Sequence, residues 1–440
     1  MGSNGLRRML LGTLLATATA CAGPMTLMPP PVVVRDGIVD VFGDLPPSYR
    51  TAEIPVFYAT DRAPRDVAQC EYSGERGDVL RLGVATTHFG EADWDFEELA
   101  RRSAAGDTVR MDCVRAEEFG RLWTTISPTD PERYAAARAT HSPADPIRAP
   151  AHRFAAAVDE RLAGSVEPDL YVFVAGYNTT FHETVNRIGQ FGHFVRDGVY
   201  LAYSWPTRGG ALGYVEDAQN GALSVRNLRE LLIFLAQATR VRRIHLIGYS
   251  AGAQVLADAL LQLRLLHRSD DAAALQRKLR IGRILYPAPD LDVMYTRNLD
   301  LDDLGDLGQA STIYVSRDDS ALWASARLLF KAPRLGRPDN ALTEADLEKL
   351  RGETLSAFVD PGQAQRSAGR GDRFGHAYWY GNSWVSTDAL LFLRYGLAPA
   401  DRGLVRSESG TYWVFPENYP ERLRDVLWNL ERRLPDERAR

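Results

Sequence analysis

Along the body of the chain, uninterrupted apolar runs of strand length alternate with stretches in which apolar residues recur at helical spacing. A strand that is apolar at every position suits burial on both faces, so the alternation predicts a mostly parallel sheet with helices on both faces. Early strands fall at 55–58 and 80–87. The clearest units then run through a strand at 170–174, a helix at 181–195, a strand at 199–204, a helix at 224–239, a strand at 244–249 and a helix at 251–266. Strands at 281–285 and 312–315, a helix from Ala321, a strand at 355–359 and a helix at 385–394 complete the layers. Two connections are long, 127–150 and 332–353, the second with a short helix of its own after Thr343; long loops often act as lids.

The first 21 residues depart from this pattern. Arg7 and Arg8 precede an uncharged apolar stretch, Met9 to Ala20, as in an export signal. It is shorter than the roughly 20 apolar residues needed to cross a bilayer. Ala18-Thr19-Ala20 before Cys21 fits ordinary signal cleavage and also a loose lipobox, although such motifs usually carry Leu where Ala18 stands. A Cys at that one position, in a chain with 3 Cys, favours Cys21 as a lipidated first residue over a simply cleaved, soluble periplasmic protein. Ala22 in place of an Asp points to the outer membrane. The expected division is a signal peptide at 1–21, a Pro-rich spacer at 22–50, the main domain at 51–400 and a C-terminal extension at 401–440 that packs on it or trails it.

Composition narrows the function classes. The chain has 440 residues, 45% hydrophobic and 25% charged, with a net charge of -5, so it can bury a large core and lacks the positive excess that phosphate binding needs. Nucleic acid is therefore not an expected partner. The remaining cysteines, Cys70 and Cys113, could form a disulfide in an oxidising compartment, with buried free thiols as the alternative. The 8 His form no H-E-x-x-H or H-x-H cluster, so no metal site is expected.

The strongest chemical signal is Gly248-Tyr249-Ser250-Ala251-Gly252, between an apolar strand and a helical run. A G-x-S-x-G turn in that setting is tight, and its glycines let strand and helix approach while the Ser projects above the sheet edge. A Ser hydroxyl needs a base, and the chain order Ser, acid, His points beyond Ser250. His376, in Gly375-His376-Ala377-Tyr378, is the one His after the candidate acids. Ser316-Arg317-Asp318-Asp319 follows a strand, and Asp319 is preferred to Asp318, although both could simply cap the next helix. Asp290, after the preceding strand, is a further alternative acid. Oxyanion donors are expected at the backbone N–H of Ala251 and, from Gly176-Tyr177-Asn178, of Tyr177.

These stretches, together with Val56-Phe57-Tyr58-Ala59-Thr60-Asp61-Arg62, Tyr72 to Gly77, Trp205-Pro206, Ala288-Pro289-Asp290 and Tyr314-Val315-Ser316, resemble the serine-hydrolase branch of the α/β-hydrolase superfamily. The similarity is in particular to a bacterial family of uncharacterised esterase/lipase-like hydrolases. It implies an α/β-hydrolase fold, a Ser250, Asp319, His376 triad and no cofactor. One departure is Ala175, where that family usually carries His. The expected activity is cleavage of a small-molecule or lipid carboxylic ester through an acyl-serine intermediate, in an exported, envelope-anchored protein held to the membrane through Cys21. An acyltransferase using the same triad, or a non-catalytic binding lipoprotein on the same fold, is the alternative.

Overall fold

The computed structural model describes residues 25–123, 145–209, 213–298, 306–338, 341–352 and 355–438. Cys21, the export signal and most of the connection at 127–150 lie outside the described residues.

Twelve strands form one sheet, in the spatial order β1-β4-β3-β2-β6-β5-β7-β8-β9-β10-β12-β11. In chain order they are β1 (Met25–Thr26), β2 (Glu53–Pro64), β3 (Tyr72–Phe89), β4 (Arg110–Arg121), β5 (Asp169–Val174), β6 (Val199–Ser204), β7 (Arg243–Gly248), β8 (Ile281–Pro287), β9 (Ala310–Tyr314), β10 (Ser356–Asp360), β11 (Val405–Arg406) and β12 (Trp413–Val414). Pairing is parallel from β2 through β6, β5, β7, β8, β9 and β10 to β12. It is antiparallel among β1, β4, β3 and β2 and between β11 and β12. This is the architecture of an α/β-hydrolase fold.

The central strands are apolar on both faces because both faces are covered. In β5, Tyr171 and Phe173 join one hydrophobic cluster while Leu170, Val172 and Val174 join the other. Alternating side chains on a strand reach opposite faces, so a continuous apolar run fills two cores at once. Helix Phe181–Val195 starts at a capping box, in which Thr180 and Glu183 each satisfy the other's backbone N–H. Among the described residues, no helix is long and apolar enough to cross a membrane.

The expected Pro-rich spacer at 22–50 is corrected, since Met25 and Thr26 pair with β4 and the buried Val32, Val33 and Val34 form a turn of helix. Met28 N–H donates to Gln190 and Val32 N–H to Thr387 Oγ1. A run of three valines gains too much by burial to stay solvated, whatever its flanking prolines. The C-terminal extension packs rather than trails: β11 and β12 extend the sheet, and Phe415, Tyr419 and Leu423 are buried in the core. Cys70 and Cys113 form a disulfide that links the turn before β3 to β4.

Candidate active site

Strand β7 ends at Gly248 and helix Gly252–Leu266 begins four residues later, leaving Ser250 at the apex of the turn with a left-handed backbone, φ 53°. A side-chain-bearing residue in that region is strained, and the surroundings hold it there. Ser250 N–H donates to Pro287 O at 3.2 Å, and its carbonyl accepts from Asp290 N–H at 3.0 Å. A Cβ on Gly252 would come within 2.2 Å of the Ala175 carbonyl oxygen, and one on Gly176 within 3.1 Å of Ser250 Cβ. Glycine is what allows the turn and the loop after β5 to meet.

His376 arrives from the segment after β10. Its Nε2 lies 2.9 Å from Ser250 Oγ and its Nδ1 lies 2.6 Å from Asp319 Oδ2. A carboxylate only accepts, so Nδ1 carries the proton and Nε2 is left to accept from the Ser hydroxyl. Asp319 is fully buried at the end of β9, and its Oδ1 accepts the Leu322 N–H at 2.9 Å, so it also caps helix Ser320–Ala324. The loop carrying His376 is pinned by Asp372, whose Oδ1 accepts from the N–H groups of Phe374 and His376, each at 3.0 Å. Gly375 in the same loop adopts φ 66°, and a Cβ there would sit 2.8 Å from the Asp318 carbonyl.

Residues 151–391, which contain this arrangement and strands β5 to β10, match the sequence profile of a family described as alpha/beta hydrolase of unknown function (DUF900). The chain belongs to that alpha/beta-hydrolase family. No curated protein and no solved structure matches it.

In this alpha/beta hydrolase the charges around the imidazole shift its titration upward. Burial pushes His376 down, but the Asp319 charge and hydrogen bond, with Asp372 and Asp290 behind them, outweigh it and raise His376 above its usual 6.5. The Tyr249 ring packs against the imidazole with centroids 5.1 Å apart, and behind Tyr249 lie Trp379 and Tyr380.

The alternative acids of the sequence reading are corrected. Asp290 is buried in an ion pair, with Arg334 Nε at 2.5 Å and Ser325 Oγ donating to both carboxylate oxygens. Asp318 points outward, 3.9 Å from Arg370, with 41% of its side chain exposed. Neither supplies the oxygen facing His376 Nδ1.

Ala251 and Tyr177, the expected oxyanion residues, line one cavity of about 340 Å³ together with Trp205, Gly221, Val255 and Tyr295. Trp205 had no role in the sequence beyond its match in Trp205-Pro206. It donates its indole N–H to the Ala175 carbonyl at 2.6 Å, both residues being buried, and so holds the loop that carries Tyr177. Arg62 is the other residue whose role emerges only in space. Buried, it donates to Ser204 Oγ, to the carbonyls of Ser73, Thr179 and Thr207, and to Thr207 Oγ1. It thereby ties β2 to the loops after β5 and β6. Among the described residues, no group of three or more His, Cys, Asp or Glu side chains is placed to hold a metal ion.

Proposed function

We propose that the protein is a serine hydrolase that cleaves a carboxylic ester through an acyl-Ser250 intermediate. The observation that carries the reading is the single chain of hydrogen bonds from Ser250 Oγ through the His376 imidazole to Asp319. In the first half-reaction, Ser250 Oγ attacks the ester carbonyl as His376 Nε2 takes its proton, and the carbonyl oxygen becomes an oxyanion facing the Ala251 and Tyr177 N–H groups. Collapse expels the alcohol, which receives the proton from Nε2. A water then repeats the sequence on the acyl-enzyme, releasing the acid and restoring Ser250. Asp319 keeps the proton on Nδ1 and stabilises the imidazolium. Each oxyanion donor is worth about 3 kcal/mol of transition-state stabilisation.

The test is intact-mass spectrometry after exposure to a fluorophosphonate, with Ser250→Ala alongside. One adduct on the parent protein and none on the variant is the expected outcome; a folded parent that takes no adduct would sink the reading. With an ester substrate in hand, product analysis in the presence of competing alcohols then separates hydrolysis from acyl transfer.

We further propose export and a lipid anchor at Cys21 in the bacterial outer membrane. The sequence of residues 1–21 supports this, and the Cys70–Cys113 disulfide fits an oxidising compartment. Cys21→Ser is expected to move the protein from the membrane fraction to the soluble fraction; unchanged fractionation would remove the anchor.

A further inference from the structure

Beside the cavity that Ala251 and Tyr177 line lies a second one, of about 310 Å³. The two share a wall made by a short antiparallel ribbon. Leu335 N–H donates to Leu291 O at 2.7 Å, Gly336 N–H to Pro289 O at 2.9 Å and Val293 N–H to Pro333 O at 3.1 Å, with Asp292 opposite Arg334. Alternate side chains of an extended strand point to opposite sides. Asp290, Asp292 and Arg334 accordingly face the first cavity, whereas Leu291 and Leu335 face the second, joined there by Val293 at the start of a helix. The polar and apolar alternation of Asp290-Leu291-Asp292-Val293 thus sorts two chambers of different chemistry.

We infer that the second chamber holds an aliphatic chain. Its remaining wall is built from the core faces of helix Gly252–Leu266 and of β8, β9 and β10, through Leu260, Ile284, Ile313 and Phe358. Its rim carries Arg297, Asp346 and Lys349, and the Arg297–Asp346 ion pair joins helix Val293–Asn298 to helix Glu344–Gly352. The chamber is partly open to solvent, and covering its apolar surface with a ligand removes that surface from water, which is favourable. Its volume lies at the small end of the range for ligand sites, and its mostly apolar lining fits methylene groups, with Arg297, Asp346 and Lys349 left to meet a polar head. The chain has two conceivable sources, the acyl part of an ester whose carbonyl sits at Ser250 or a separate lipid. The binding claim stands without the catalytic proposal; only the first source rests on it.

The test measures dodecanoate and butyrate binding by calorimetry to Ser250→Ala, alone and combined with Leu260→Trp or Leu342→Trp, two substitutions that fill the chamber from different walls. Dodecanoate is expected to bind once per chain, at least tenfold tighter than butyrate, and to lose at least tenfold in each filled variant. Absence of binding, or binding that both substitutions leave unchanged, overturns the inference. Circular dichroism and urea melts of the filled variants report that they fold. Comparing dodecyl and ethyl fluorophosphonates separates the sources: faster labelling by the dodecyl probe, lost on filling, assigns the chain to the substrate, and labelling indifferent to length assigns it to a separate lipid. If no probe labels Ser250, the proposed catalysis fails while dodecanoate binding still decides the chamber.

Discussion

Asp319 grips His376 with one oxygen only: Oδ2 lies 2.6 Å from Nδ1, while Oδ1 is occupied by the Leu322 N–H at 2.9 Å. The carboxylate is thus both tautomer holder and helix cap, and two substitutions separate the jobs. Asp319→Asn keeps a capping oxygen but puts an amide donor or a neutral acceptor before Nδ1, so kcat should fall by about 10⁴-fold with little loss of stability. Asp319→Ala should lose as much activity and in addition about 1 kcal/mol of stability through the missing cap. Ester turnover and urea melts of both variants check this.

The raised pKa of His376 fixes the direction of two pH effects. On the proposed mechanism neutral imidazole is the base, so the acid limb of kcat/KM should lie above pH 6.5, and Asp319→Asn should move it down. For stability, a group held above its unfolded value contributes fully below about pH 6.5 and loses that contribution as pH rises through the folded value. A rate profile with its limb at or below 6.5 would contradict the first. Melts across pH 5 to 9 on the parent and on His376→Gln test the second.

Trp205→Phe keeps an aromatic ring, though a smaller one, and removes the N–H that meets the Ala175 carbonyl. Leaving a buried acceptor unpaired costs about 1–3 kcal/mol, and the strain falls on the loop bearing Tyr177, the proposed oxyanion donor. The expected signature is a drop of roughly tenfold in kcat with KM nearly unchanged. Equal losses in kcat for short and bulky esters would agree with a displaced oxyanion donor. A KM effect alone would assign Trp205 to substrate contact instead.

The Cys70–Cys113 disulfide closes a loop with a sequence separation of 43. The chain-entropy relation gives about 4 kcal/mol for such a loop, and measured cases usually fall at 2–4 kcal/mol. Cys70→Ser with Cys113→Ser should lower stability by that amount in denaturant titrations, and adding reductant to the parent should reproduce it. No change under reductant would mean that the bond contributes nothing to the folded protein.

Most of the sheet and the Ser250 turn are legible in the chain because each strand there carries its own apolar run. Helix Phe181–Val195 is recognisable from its spacing and from Thr180 and Glu183 at its start. β4 is not, since Arg110–Arg121 has β1, a strand of two residues, on its outer side and keeps exposed charged residues such as Arg115 and Glu117. Val32–Arg35 was hidden by its prolines, which weigh on local geometry while the valines weigh on burial. The stretch Val56 to Arg62 stands out in the sequence, but its reason needs the third dimension. Thr60 bonds the Ser204 carbonyl, Asp61 accepts from Ser224 and Asn227, and Arg62 gathers loops far away in sequence. Choosing among Asp290, Asp318 and Asp319 likewise required knowing which carboxylates Arg334 and Arg370 draw away.

The N-terminal segment that crosses the sheet sets an order of events in folding. Val32 bonds Thr387, 355 residues later, and Asp36 pairs with Arg424, 388 residues later. A ribosome delivers the N-terminus first, at about 5–20 residues per second, so this segment waits roughly 20 to 80 seconds for its partners. Until then three consecutive valines stay exposed to any hydrophobic surface nearby. This early segment is among the last to settle, and the folded protein is fastened by contacts that span 355 or more residues of sequence.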